Sequence, residues 1–132
     1  MTDLERQGAA AKAASRILST ADTEKKNRAL EAIAEALSER SGEWLAANRM
    51  DLEAAKASGM RASLTDRLSL SEERIKQIAD GVRQVVLLPD PVGEVIGQTT
   101  RPNGLNIIKR RVPLGVIGMI FEARPNVTVD AA

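Results

Sequence analysis

The 132-residue sequence predicts an α/β fold that is mostly α-helical over residues 3–88 and continues as a β-hairpin and one strand of a parallel sheet. Up to residue 88, apolar residues recur at the three- and four-residue intervals of amphipathic helices. Pro89 and Pro91 then end this pattern, since neither proline can continue a helix. Beyond them, residues 115–121 are apolar without interruption, which is typical of a strand covered on both faces.

The helical part divides at residues that favour helix ends. Ser41 is predicted to cap the third helix, Gly59 to close it, and Ser71 to cap the last one. The predicted segments are residues 3–18, about 23–40, about 41–59, a short turn at 63–68, and about 71–88. The predicted buried sides are Leu30, Ile33, Ala34 and Leu37 in the second segment, and Ile75, Ile78, Ala79, Val82, Val85 and Val86 in the last.

Two strand-like segments, residues 92–98 and 105–112, flank an Asn103-Gly104 pair that is typical of hairpin turns. The second segment contains Lys109, Arg110 and Arg111 in succession. A phosphate or nucleic-acid surface is one interpretation. An edge strand protected by charge is favoured, because alternate strand residues face opposite sides and no aromatic platform accompanies the charges.

Composition excludes several kinds of site. The chain contains no cysteine and no histidine, so it offers no thiolate nucleophile, and we expect no metal site. Its net charge of +1 gives no reason to expect nucleic acid or an anionic membrane as a partner. The first residues lack the features of a secretory signal and no stretch is long enough to span a membrane, so we expect a cytoplasmic protein. Trp44 is predicted to be a core or interface anchor.

The polar segment after the apolar run carries the candidate functional residues. Ligands of parallel α/β sheets bind beyond the carboxyl ends of the strands, where residues 122–126 are expected. Arg124 can bind a carboxylate or phosphate, and the amide of Asn126 can donate to an oxyanion. Alternatively, Asn126 caps a helix starting at Val127, while Arg124 pairs with Glu122 or Asp130. Spacing leaves both interpretations open.

Glycines in the apolar run offer no cofactor motif by themselves. Gly115 and Gly118 lack the third glycine of a dinucleotide-binding fingerprint. Close approach of another backbone is the favoured interpretation of the pair.

A resemblance to a known family adds to this interpretation. The segments are RVPLGVIGMIFEARPNVTVDAA, AAAKAASRILSTADTEKKNRALEAIAEAL, LTDRLSLSEERIKQIADGVRQVVLLPDPVGEVI and NGLNIIKRRVPLGVIG. They resemble, in register, the N-terminal portion of the γ-glutamyl phosphate reductases, members of the aldehyde dehydrogenase superfamily. The resemblance implies NADPH-dependent reduction of L-glutamyl 5-phosphate to glutamate-5-semialdehyde in proline biosynthesis. It also implies a cysteine nucleophile, which this chain lacks.

The resemblance implies roles for individual residues. Phe121, Glu122 and Ala123 are expected at the NADP(H) cofactor, and Arg124 and Asn126 at the substrate. Asn126 is expected to stabilise an oxyanion, although an ungapped match to aldehyde dehydrogenases places Arg124 at that position.

The resemblance further implies a division into three parts. Residues 1–90 would be a helical part of the cofactor-binding domain, and residues 91–112 a hairpin resembling the oligomerisation flap. Residues 113–132 would supply the first strand and active-site loop of an incomplete dinucleotide-binding sheet. We therefore expect a piece of a homo-oligomeric enzyme that assembles through the 92–112 hairpin and is inactive alone. The alternative is a non-catalytic helical module for binding or assembly.

Overall fold

The computed structural model describes residues 2–132 and confirms the predicted order of helices followed by a hairpin. The helices within this range are α1 Asp3–Leu18, α2 Thr23–Glu39, α3 Ser41–Ala57, α4 Ala62–Leu68, α5 Glu72–Val86 and α6 Val127–Asp130. The strands are β1 Val95–Thr100 and β2 Asn106–Arg110. The chain forms two compact units: the described residues up to Thr23 with Pro89–Gly118, and Glu24–Leu88 with Met119–Ala132.

The first unit contains α1 and the hairpin. Helix α1 starts with a capping box, in which the Thr2 hydroxyl accepts from the Glu5 N–H at 3.3 Å and the Glu5 carboxylate accepts from the Thr2 N–H at 2.7 Å. None of its residues is buried.

The hairpin is antiparallel, with an irregularity between Val95 and Gly97. The Asn103 side chain accepts from the Leu105 N–H at 3.1 Å, and Gly104 has φ +83°, so the predicted Asn-Gly turn is confirmed. Arg111 at the base of the hairpin forms an ion pair with Glu94 at 2.8 Å.

In the second unit, α2 and α5 meet through small residues. Ala34 and Ala79 are fully buried, Val82 is buried beside them, and Leu30, Leu37 and Val129 pack around this cluster. The centre of this cluster is therefore formed by small side chains from both helices. An exposed pair, Arg83 and Glu31, lies across the same two helices at 3.5 Å.

Helix α3 is connected to the segment between α4 and α5 by a buried amide. Asn48 is only 4% exposed; its Nδ2 donates to the Leu68 carbonyl and its Oδ1 accepts from the Leu70 N–H, both at 2.8 Å. Ser71 caps α5 as predicted, its hydroxyl accepting from the Arg74 N–H at 3.1 Å. These bonds fix the entrance to α5.

The structure bears on the predicted roles of three helix residues, Ser41, Val85 and Trp44. Ser41 is the first residue of α3 and does not cap it, because α2 ends only two residues earlier and Arg40 alone separates the helices. Val85 is 51% exposed, since it lies about 90° around α5 from the centre of the buried stripe. Trp44 is half-exposed, with the Arg40 guanidinium 5.2 Å from its ring centre.

The apolar run 113–121 forms neither strand nor helix. A strand is defined by backbone pairing with a neighbour, and the sheet within residues 2–132 consists of β1 and β2 only. Gly115, at φ +91°, also departs from an extended path. The predicted first strand of the cofactor-binding sheet is therefore not formed among the described residues.

Candidate functional site

The loop before α6 carries the predicted site residues on a strained backbone. Ala123 has φ +52°, a left-handed conformation that costs alanine free energy and that clusters at functional sites. Phe121 and Glu122, expected at a cofactor, are exposed, and Ala123 is half-buried. The turn at Ala123 leads into Arg124, so the strained residue directly precedes the cationic one.

Asn126 occupies the N-cap position of α6, but its side chain does not cap the helix. Its backbone is already helical, with φ −61° and ψ −30°, and its Nδ2 donates to the Asp130 carboxylate at 2.7 Å. The expectation of a side-chain cap is therefore wrong, because the amide reaches one turn along α6. The bond to Asp130 uses one of the two amide protons and leaves the other for a ligand.

Arg124 does not form the ion pair that a purely structural role would give it. Within residues 2–132, its guanidinium makes no ion pair or side-chain hydrogen bond with Glu122, Asp130 or any other residue. The side chain is exposed. Its fixed positive charge is thus available to an anion from solution.

Two adjoining concavities in the second unit bring these residues together with α4 and α5. The larger, of ≈ 290 Å³, is lined by Arg67, Ser69, Leu70, Arg74, Gln77, Ile78, Gly81, Pro125, Asn126 and Asp130. The smaller, of ≈ 270 Å³, is lined by Asp66, Arg67, Arg74, Arg124 and Asn126. Arg67, Arg74 and Asn126 border both. The structure therefore places Arg124 and Asn126 beside two further arginines.

The sequence analysis missed Arg67 and Arg74. They belong to different helices, α4 and α5, so no helical spacing relates them to each other or to residues 124–126. Arginines on exposed helical surfaces are common, and nothing in the sequence pattern separated these two from the others. Only the fold brings them to one cavity.

Arg74 supports the end of α4. One terminal nitrogen donates to the Asp66 and Ser69 carbonyl oxygens, both at 2.7 Å, and the other lies 3.3 Å from the Asp66 carboxylate. The two backbone bonds satisfy carbonyl groups at the C-terminal end of α4. Arg74 thus holds the turn that carries Arg67, and its charge is partly balanced by Asp66.

Within the described residues, no group of three or more histidine, cysteine, aspartate or glutamate side chains is arranged to hold a metal ion. No helix among residues 2–132 has both the length and the apolar character needed to cross a bilayer.

The smaller concavity, with three arginines and the amide of Asn126 in its lining, suits recognition of a small anion.

The curated proteins that are similar to this chain share one name, γ-glutamyl phosphate reductase. No family model matches the chain. It is 62% identical over 115 residues to a γ-glutamyl phosphate reductase from Anoxybacillus flavithermus, which is 87% of this chain and 28% of that protein. It is 56% identical over 132 residues to one from Neisseria meningitidis serogroup C, 100% of this chain and 31% of that protein.

Solved structures agree. The Thermotoga maritima γ-glutamyl phosphate reductase matches with a TM-score of 0.94 and 45% identity, over 98% of this chain and 31% of that one. The Saccharomyces cerevisiae enzyme matches with a TM-score of 0.91 and 32% identity, over 99% and 33%.

These similarities define the class first: the curated relatives and solved structures that match the chain are reductases by name. More particularly, the chain is homologous over its full length to part of γ-glutamyl phosphate reductase, and the resemblance expected from the sequence is confirmed. The chain spans 28% and 31% of the length of the first two curated relatives.

Proposed function

We propose that this chain forms the N-terminal part of a γ-glutamyl phosphate reductase. The parent enzyme reduces L-glutamyl 5-phosphate to L-glutamate 5-semialdehyde with NADPH, in proline biosynthesis in the cytoplasm. The observation that carries the proposal is similarity over the full chain in both sequence and fold, 56% identity over 132 residues and a TM-score of 0.94.

The exposed apolar run supports membership of a larger sheet over the alternative of a self-contained helical module. Val116, Ile117 and Met119 are about half to two-thirds exposed, and Ile120 is fully exposed. Side chains of this kind are expected between layers of an α/β sheet. A stand-alone module would be expected to carry polar residues there.

The roles of individual residues follow the resemblance. The proposed cofactor contacts are Phe121, Glu122 and Ala123, with NADP(H) supplying hydride when bound. The proposed substrate contacts are Arg124 and Asn126. The free amide proton of Asn126 suits an acceptor that gains negative charge as the acyl carbon is attacked, and the Asp130 carboxylate orients that amide.

The reacting thiolate of the family is not supplied by these 132 residues, which contain no cysteine. We therefore propose that the chain alone is inactive. Its contribution to catalysis is one wall of the site, which binds and orients the substrate. Covalent catalysis then depends on the remainder of the parent enzyme.

A chimaera tests this proposal. These 132 residues replace the matching 31% of the Thermotoga maritima enzyme, and activity is followed in reverse, as NADPH formation from glutamate-5-semialdehyde, phosphate and NADP. We expect the chimaera to be active and the isolated chain to be inactive. A folded chimaera without activity, shown to bind NADP, would contradict the proposed function. Replacing NADP by NAD in the same assay tests the cofactor preference.

We also propose that the parent is a homo-oligomer assembled through the 92–112 hairpin. Ile96, Ile107 and Ile108 are nearly half exposed, and all but Gly97 of the strand residues are exposed. Unpaired strand edges with aliphatic side chains favour pairing with another chain. In the chimaera, Ile107→Asp should lower the mass measured by light scattering, whereas Leu4→Asp on α1 should leave it unchanged. The same mass for both variants would contradict assembly through the hairpin.

A further inference from the structure

Two arginines on one cavity have charges that nothing else in the described chain balances. Arg67 and Arg124 both line the smaller concavity, and neither makes an ion pair or a side-chain hydrogen bond with any described residue. The other two charged groups there are paired with each other, Arg74 with Asp66 at 3.3 Å. Two fixed positive charges therefore remain for a ligand.

Both arginines extend from backbone that is held in place. Arg67 lies in the last turn of α4, whose end is bonded to Arg74 and, through Leu68, to the buried amide of Asn48. Arg124 follows the left-handed turn at Ala123. Fixed backbone on both sides lowers the entropic cost of holding one ion between two long side chains.

The two concavities are shallow and have room for a small group. The two concavities measure ≈ 290 Å³ and ≈ 270 Å³, below or at the lower limit of pockets that enclose drug-sized ligands. Neither encloses a dinucleotide. A planar guanidinium offers paired N–H donors that match the oxygens of a phosphoryl group, and two such groups match a dianion.

We propose that Arg67 and Arg124 together bind the phosphoryl group of the acyl-phosphate substrate, which leaves the free amide proton of Asn126 to the neighbouring acyl oxygen. Arg74 is a positioning residue that holds the turn carrying Arg67. The assignment of this anion to the substrate rests on the proposed function. The anion site itself rests on the geometry of the two arginines.

Titration of the chain with inorganic phosphate at constant ionic strength, adjusted with chloride, tests the site. We expect one phosphate per chain, with shifts of the Nε–H resonances of Arg67 and Arg124. Arg67→Gln and Arg124→Gln should each weaken binding about tenfold or more, because each removes a charge-assisted interaction. Arg67→Lys should restore only part of the affinity, since lysine keeps the charge and loses the paired donors.

The matched control is Arg49→Gln, which removes an exposed arginine of α3 that lines neither concavity. Since the side chains of Arg67 and Arg124 form no ion pair or hydrogen bond within residues 2–132, the variants should keep the helical circular dichroism of the unsubstituted chain. Equal loss of phosphate binding in Arg49→Gln and Arg67→Gln would overturn the assignment of the phosphate site to Arg67 and Arg124. So would the absence of phosphate binding by the folded chain.

Two further probes test whether the site binds the phosphoryl group of the substrate or the 2′-phosphate of the cofactor. Acetyl phosphate should compete with inorganic phosphate, and 2′,5′-ADP, which carries the cofactor's 2′-phosphate, should bind no more tightly than phosphate. Tighter binding of 2′,5′-ADP that Arg67→Gln abolishes would overturn the assignment to the substrate. An active chimaera with no phosphate site would refute this inference alone. Phosphate binding with an inactive chimaera would refute the proposed reductase function alone.

Discussion

The side-chain carbonyl of Asn48 in α3 accepts a hydrogen bond from the backbone N–H of Leu70 at 2.8 Å. The same amide donates to the Leu68 carbonyl at 2.8 Å, so one buried side chain pairs with the backbone on both sides of Ser69. This is the segment between α4 and α5 that borders the larger concavity. Asn48 therefore connects the packing of α3 to the shape of the candidate site.

Asn48→Ala should lower the free energy of unfolding by about 2–3 kcal/mol, because it leaves one donor and one acceptor of the backbone unpaired. Urea unfolding followed by helical circular dichroism measures the change. Met50→Ala, at an exposed position of the same helix, should change stability by less than about 0.5 kcal/mol. A loss no larger than that of Met50→Ala would show that the two bonds do not stabilise the fold.

Ala34→Leu should destabilise the second unit by about 1–3 kcal/mol, since the larger side chain has no space between α2 and α5. Ala32→Leu makes the same change at an exposed position of α2 and should have little effect. Thermal unfolding of the two variants provides the comparison. Similar melting temperatures for both would argue against close packing at Ala34.

Ala123→Gly should raise the free energy of unfolding by about 0.5–1 kcal/mol, because the strain relieved at φ +52° outweighs the entropy that glycine gains in the unfolded chain. Ala32→Gly, in the interior of α2, should have the opposite sign and cost about 1 kcal/mol. Chemical denaturation measures both. Destabilisation by Ala123→Gly would mean that the left-handed turn is not strained.

Arg40 lowers the pKa of the Glu43 carboxyl below its ordinary value, first through a side-chain hydrogen bond and also through charge attraction. The folded pKa is depressed, so the associated stabilisation is present above the ordinary glutamate pKa and is lost as pH falls through the lowered one. Both side chains are exposed, so the effect on stability is small. NMR titration of the Glu43 carboxyl should show a higher midpoint in Arg40→Gln. An unchanged midpoint would show that Arg40 does not lower the pKa of Glu43.

Local patterns predicted the helices well where the chain carries its own end signals. Ser71 caps α5, and Gly59, at φ +72°, follows the end of α3, as the residue types require. The hairpin turn followed from Asn103 and Gly104 for the same reason. The boundary between α2 and α3 was mispredicted at Ser41, because capping preference does not reveal that two helices are separated by a single residue.

Sequence by itself determined the local structure, because helix periodicity, caps and turn residues act within a few positions. The family resemblance also required only the order of the residues. The sequence also identified Arg124 and Asn126 as polar residues beside an apolar run. Only the tertiary structure decided that Arg67 joins them, since α4, α5 and the α6 segment meet through contacts distant in sequence. Pairing is likewise non-local: residues 113–121 have strand-like composition, but a strand forms only when another strand satisfies its backbone.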